Sequence, residues 1–237
     1  MRSIFALLMA TATALPALAA STCNARPAGG ELPTIVELYT SEGCNSCPPA
    51  DRFLSSLVER PDVLGLAFHV DYWDRLGWKD RFASPAYTER QQLLQRASGA
   101  RFIYTPQVIV NGRDSRDWPT LPAPAASAAD IELSRDGGRV DALITPRSGA
   151  PARLAAYWVA LEDGHVSEVR SGENAGVTLR HDSVVRAYRE APAWSGREPH
   201  RLSFEPPAAE RGRAAKVALV IVDAATQRPV AAARLDC

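Results

Sequence analysis

The stretch Thr34–Ser55, TIVELYTSEGCNSCPPADRFLS, constrains the fold of this 237-residue chain more tightly than any other. Ile35, Val36, Leu38 and Tyr39 make a short apolar strand, and a polar turn leads from it to Cys44-Asn45-Ser46-Cys47. Pro48 and Pro49 then fix where a helix begins, because proline is tolerated in the first helical turn, where N–H groups lack partners anyway. Asp51 adds negative charge to that turn, and the helix is expected to run to about Glu59, before Pro61. Free N–H groups and the positive end of the helix dipole favour a thiolate over a thiol. The three-residue offset lets the second sulfur turn back onto the first, so the pair can cycle between dithiol and disulfide.

The rest of the composition narrows the setting. Apolar residues make up 46% and charged residues 23%, with 27 Lys+Arg against 27 Asp+Glu. That balance gives no reason to expect nucleic acid or an anionic membrane surface as partner. Residues 1–20 read as a signal peptide: Arg2, an apolar run over Ile4–Ala14, Pro16, then Ala17-Leu18-Ala19 as a cleavage site. The run is too short for a membrane span, so none is expected in the mature chain. Export implies a periplasmic or secreted protein in an oxidising compartment. Cys44 and Cys47 are natural partners, which leaves Cys23 and Cys237 at the two ends of the mature chain as a structural disulfide, the alternative being free thiols.

After a Pro/Gly-rich lead-in, the first strand covers about 34–40. Its Glu37 is a candidate proton carrier for the second thiol if it faces inward, and an exposed pleat residue if it does not. The apolar run Val63–Val70 reads as a strand buried on both faces of a parallel sheet. Ligands of such sheets bind beyond the carboxyl ends of the strands, which puts His69, Asp71 and Trp73 on the rim with Cys44. His69 is a candidate proton carrier or a hydrogen-bonded strand-end histidine, and Trp73 a lid residue or part of the core. Ser84–Ser98 is a helix with Ser84 as N-cap, Pro85 at its first position and Gly99 past its end. Tyr104-Thr105-Pro106 opens a strand over Gln107–Val110, closed by an Asn-Gly turn.

This order of elements resembles the thioredoxin superfamily over residues 31–118. The blocks VELYTSEGCNSCPPAD, HVDYWDRLGWKD, YTPQVIVNG and SGENAG with the later VVR resemble, more narrowly, a family of exported proteins known as DUF1223. The superfamily resemblance implies that Cys44 is the nucleophile, that Cys47 resolves, and that Pro106 is cis and, with Thr105, meets the substrate backbone. Gly43 departs from that pattern, since thioredoxins carry a tryptophan there. Asn45-Ser46 matches no dipeptide that marks a reductase, isomerase, oxidase or glutaredoxin. Asp114–Ala129, with Pro119, Pro122 and Pro124, reads as a linker where a last helix would belong.

From about Ile131 the texture changes to short, partly alternating strands split by Asp-Gly, Gly-Gly and Pro. Arg135-Asp136-Gly137-Gly138 and Glu162-Asp163-Gly164-His165 read as hairpin turns. Ser171–Gly176 reads as a structured turn that, with His181, faces the redox rim. The expected fold is an α/β thioredoxin-like domain (21–118), a Pro/Ala-rich linker (119–130) and a smaller all-β, antiparallel sandwich-like domain (131–237).

The expected function is that of an exported thiol–disulfide oxidoreductase with Cys44 and Cys47 as catalytic residues. Thr105, Pro106 and Trp73 would hold a protein or small thiol/disulfide substrate, and Glu37 and His69 would move protons. No cofactor and no resident metal is expected. One alternative is a copper- or zinc-binding protein that uses the two cysteines with His69, since thiolate and imidazole suit such ions. The other is a non-catalytic binding module with a permanent Cys44–Cys47 bridge.

Overall fold

Every residue of the strand Thr34–Thr40 is buried, as both faces of a central strand require. The computed structural model describes residues 24–25 and 30–236. The expected signal peptide and the expected Cys23–Cys237 bridge lie outside the described residues. The first half supplies β1 (Asn24–Ala25), β2 (Glu31–Leu32), β3 (Thr34–Thr40), α1 (Pro48–Ser55), β4 (Val63–His69), a 3-10 turn over Asp71–Leu76, α2 (Pro85–Ser98), β5 (Gln107–Val110), β6 (Arg113–Asp114) and β7 (Ala125–Ala126). The second half supplies β8 (Ala129–Asp136), β9 (Arg139–Pro146), β10 (Arg153–Glu162), β11 (His165–Glu168), β12 (Thr178–His181), β13 (Val184–Ser195), β14 (His200–Phe204), β15 (Lys216–Asp223) and β16 (Pro229–Asp236).

The local signals place these elements. Pro48 and Pro49 stand in the first turn of α1, with Cys47 at its N-cap. The helix stops at Ser55, short of Glu59, and the Ser56 hydroxyl turns back to the Phe53 carbonyl at 2.6 Å. Ser84 and Gly99 bound α2, Gly99 in the left-handed conformation at φ 70°. Asn111 and Gly112, both at positive φ, turn β5 into β6.

The expected α/β thioredoxin-like domain followed by a separate all-β domain is not what the chain builds. Strand accounts for 44% of the structure and helix for 14%. One eight-stranded sheet runs β16-β15-β10-β13-β4-β3-β5-β6 and takes strands from both halves. β4 is parallel to β3 on one side, and on the other it meets β13 in parallel at Val184 and Ala67. The edge that a self-contained α/β unit would leave open is thus covered by β13, beyond which β10, β15 and β16 extend the sheet in antiparallel pairs. No helix lies between β5 and β8; the proline-bearing stretch there contributes only the short β6 and β7.

Alternation along β3 and β4 sorts side chains to the two faces of the sheet. Val36, Leu38, Val63 and Ala67 meet Ala50, Leu54 and Leu57 from the α1 side. Ile35, Tyr39, Leu64, Leu66 and Phe68 meet Tyr87 and Leu94 of α2. Each fully buried side chain of this size contributes roughly 1.5–3 kcal/mol relative to exposure. Beyond β13, Leu154, Trp158, Leu219 and Ile221 pack against Ile131, Leu133, Val140 and Ile144 of the sheet β1-β8-β9-β14.

Gly137-Gly138 makes the expected hairpin between β8 and β9. Asp163-Gly164 does not join hairpin partners, because β10 pairs with β13 and β11 with β12. Residues 163–183 are therefore an excursion between β10 and β13. Asp163 and Asp182 fasten its base by accepting the backbone N–H groups of Ser183 and Gly164, both at 2.7 Å.

Candidate active site

Cys44 and Cys47 form a disulfide at the N-terminal end of α1. Tight turns set it there: the Cys44 N–H meets the Ser41 carbonyl at 3.1 Å, and the Cys47 N–H meets the Cys44 carbonyl at 3.2 Å. Asn45 and Ser46 between the cysteines are exposed, whereas both cysteines are 0% exposed. Trp73 lies against the turn; a Cβ built on Gly43 would stand 3.2 Å from Trp73 Cβ. Glycine at 43 therefore leaves room for an indole that arrives from a different segment of the chain. The Trp73 Nε1–H donates to Thr105 Oγ1 at 2.8 Å, and the Thr105–Pro106 peptide is cis. The structure thus gathers Trp73, Thr105 and the disulfide turn on one rim.

The excursion 163–183 closes the site from the other side. Asn174, 5% exposed, donates through Nδ2 to the carbonyls of both Glu42 and Cys44, each at 2.9 Å. Glu173 accepts the Asn45 N–H at 3.2 Å, and the Ser171 hydroxyl reaches the Gly77 carbonyl at 2.5 Å. The turn over Ser171–Gly176 does face the rim, but nothing in its sequence singled out Asn174 as the clamp. An amide that bridges two carbonyls 132 and 130 positions away leaves no local pattern.

Behind the disulfide lies a buried polar cluster. β4 ends in His69, opposite Thr40 in the parallel register, so both project toward α1. His69 Nδ1 is 2.7 Å from Asp80 Oδ2, both side chains 0% exposed. Asp80 also accepts the N–H groups of Glu42 and Phe82, each at 2.9 Å. The Glu42 carboxylate accepts Trp78 Nε1–H at 2.7 Å and stands 3.4 Å from His181 Nε2. Asp51, one turn beyond Cys47, is buried on the same side.

Burial opposes ionisation throughout this cluster, and specific partners decide each outcome. Burial would lower the His69 pKa, but Asp80, then Asp51 and Glu42, hold it above the ordinary value. Burial would raise the Asp80 pKa, but His69 and the two N–H groups hold it below. For Glu42, burial is outweighed by His181, Ser167 and Trp78, and its pKa also falls. Asp51 is raised, because burial exceeds what His181, His69 and Thr40 return.

Glu37 is not part of this cluster. It points to the opposite face of the sheet, buried rather than on an exposed pleat, where Arg90 grips it with Nη2 at 2.6 Å and Nε at 3.0 Å. The hydroxyls of Tyr39 and Tyr157 each donate to it at 2.8 Å. Burial first, and with it the Glu37 charge, pushes both tyrosine pKa values up. A carboxylate held by four donors is a structural anchor with no path to the sulfurs. Asp71, also expected on the rim, accepts the Thr88 hydroxyl at 2.6 Å and ties the 3-10 turn to α2.

One further group has ligand chemistry: atoms of Glu162, His165 and Glu210 lie within 4.8 Å of one another. Arg186 stands 3.3 Å from Glu162, Arg81 3.4 Å from Glu210, and Arg213 3.9 Å from Glu210. Those guanidinium groups already balance the carboxylates. No helix among the described residues is long and apolar enough to cross a membrane.

Two solved structures share this architecture. Protein AGR_C_4864 from Agrobacterium tumefaciens is 25% identical and aligns over 86% of this chain and 94% of its own, with a TM-score of 0.63. HBP35 of Porphyromonas gingivalis is 13% identical, a likeness of fold alone, over 86% of this chain and 74% of its own with a TM-score of 0.59. No curated protein matches the sequence. The family described as "Protein of unknown function (DUF1223)" matches residues 35–223, from the strand that precedes the disulfide through the excursion that clamps it to the end of β15. The chain belongs to the DUF1223 family.

Proposed function

We propose that the protein is a thiol–disulfide oxidoreductase that works in an oxidising compartment outside the cytoplasm. The observation that carries this reading is the Cys44–Cys47 disulfide at the head of α1, with Trp73 packed against its turn and tied to Thr105 of the cis Thr105–Pro106 peptide. A substrate thiolate attacks Cys44 Sγ, the Cys44–Cys47 bond breaks, and its electron pair leaves on Cys47 as a thiolate. A second substrate thiol then attacks the mixed disulfide, so the substrate dithiol is oxidised and the cysteine pair reduced; the reverse sequence reduces a substrate disulfide. The helix N-terminus favours the thiolate form on either path. The expected partners are proteins or small molecules that carry thiols or disulfides.

The 0% exposure of both cysteines favours a second reading, a permanent cross-link that holds the turn in place. Equilibration with glutathione separates the two. A reduction potential above about −230 mV, with Cys47→Ala trapping mixed disulfides, supports the exchange reaction. A potential below about −300 mV with no trapped species overturns it in favour of the cross-link.

A further inference from the structure

We infer that Glu42, His69 and His181 form a site for a single divalent transition-metal ion of the zinc type, buried behind the disulfide. The three residues come from the end of β3, the end of β4 and the end of β12, and all are at most 2% exposed.

His69 and Glu42 each have one atom held by a neighbour and one without a hydrogen bond, and His181 has neither ring nitrogen held. Asp80 Oδ2 accepts a backbone N–H and lies 2.7 Å from His69 Nδ1, so a neutral ring carries its proton on Nδ1 and keeps its lone pair on Nε2. That Nε2 is buried without a hydrogen-bond partner among the described residues. Trp78 occupies Glu42 Oε2 and leaves Oε1 buried and unbonded. Both ring nitrogens of His181 are likewise buried and unbonded. A carboxylate on the far nitrogen of a histidine and a donor on the far oxygen of a glutamate are the supports that orient metal ligands.

Charge points the same way. Among the described residues neither Glu42 nor Asp80 pairs with a lysine or arginine; the side chains that face them are the imidazoles of His181 and His69. A divalent ion would balance the two carboxylates while both imidazoles stay neutral, the form in which imidazole coordinates. Two imidazoles and a carboxylate make a donor set that zinc accepts. His181 Nε2 and Glu42 Oε1 stand 3.4 Å apart, and two ligands of a tetrahedral zinc ion are separated by about 3.4 Å. The rings of His69 and His181 are 4.9 Å apart between centroids. The donor atoms of Glu42, His69 and His181 do not all lie within 4.8 Å of one another, so the site requires His69 Nε2 to move toward the other two when the ion binds. Glu42 and Ser167 also line an open cleft of about 520 Å³ beside Trp78, whose rim carries Lys79, Arg81 and Arg170 as well as Glu168.

The test uses the full chain with its disulfide intact, so that the cysteines cannot bind, loaded with Zn²⁺ and dialysed. One Zn²⁺ per chain by elemental analysis supports the site, as does a Co²⁺ form with tetrahedral d–d absorption and no thiolate charge-transfer band. Zn²⁺ retention should be lost in His69→Gln and His181→Gln and kept in Glu162→Gln. Asp80→Asn should weaken affinity about 10- to 100-fold through the orientation of His69. No retained Zn²⁺ in the unmodified chain, or retention unchanged in both histidine variants, overturns the inference. If those variants fail to fold, the Co²⁺ spectrum of the unmodified chain decides, and absence of the bands overturns it. A Cys44→Ser/Cys47→Ser chain that still binds separates this site from the redox reading.

Discussion

Replacing Thr105 with valine should speed the opening of the disulfide. The change keeps shape and branching but removes the oxygen that accepts Trp73 Nε1–H at 2.8 Å. Trp73 and Thr105 are both only part-buried, so water can satisfy the freed indole. What is lost is the net value of one neutral hydrogen bond, about 0.5–1.5 kcal/mol. If Trp73 must swing from the turn at Gly43 before a reductant reaches the sulfurs, that energy enters the opening equilibrium in full. At about 1.4 kcal/mol per factor of ten, reduction should accelerate about 2- to 12-fold. The assay is pseudo-first-order reduction by excess dithiothreitol, with thiols trapped by an alkylating agent and counted by mass. Thr88→Val, which frees Asp71 and leaves the Trp73 contact intact, is the control. A Thr105→Val rate equal to or below that of the unmodified chain would refute the idea that the indole gates access.

Glu37→Gln should leave Arg90 buried without its counter-charge and cost about 3–5 kcal/mol in urea unfolding, while the reduction potential stays put. A change in potential would place Glu37 in the proton chemistry after all. His165 should make folding weaken on acidification. Burial and Arg213 lower its pKa below the ordinary 6.5 despite Glu162 and Glu210. The unfolded chain therefore binds the proton first, and this contribution, present above about pH 6.5, is lost as the pH falls toward the folded value. Urea midpoints at pH 7.5 and 5.5 should drop further in the unmodified chain than in His165→Gln; an equal or smaller drop contradicts the sign.

The elements that hold the disulfide were legible because their signals are local. Pro48-Pro49 starts α1, Ser84-Pro85 and Gly99 bound α2, and Asn111-Gly112 turns β5 into β6. What decides the fold class is not local. β13 joins β4 through pairing across more than a hundred residues, and periodicity does not encode which edge a strand chooses. Asp163-Gly164 has the composition of a hairpin turn, yet the strands it separates find other partners. Glu37 could not be placed from alternation, because both faces of β3 are buried and apolar neighbours flank it either way. His69 was legible as a hydrogen-bonded strand-end histidine, though its place in a buried cluster behind the disulfide was not, and His181 and Asn174 arrive only through the excursion.

The excursion also sets a timetable for a chain made from its N-terminus. Asn174 leaves the ribosome 130 residues after the Cys44 carbonyl it clamps. At about 5–20 residues per second, that is an interval of about 7–26 s. During it the two sulfurs stand beside a young helix with no cover from this side. From this side the pair is shut in only when the amide arrives, so the last segment to cover the sulfurs is also among the later ones to be made.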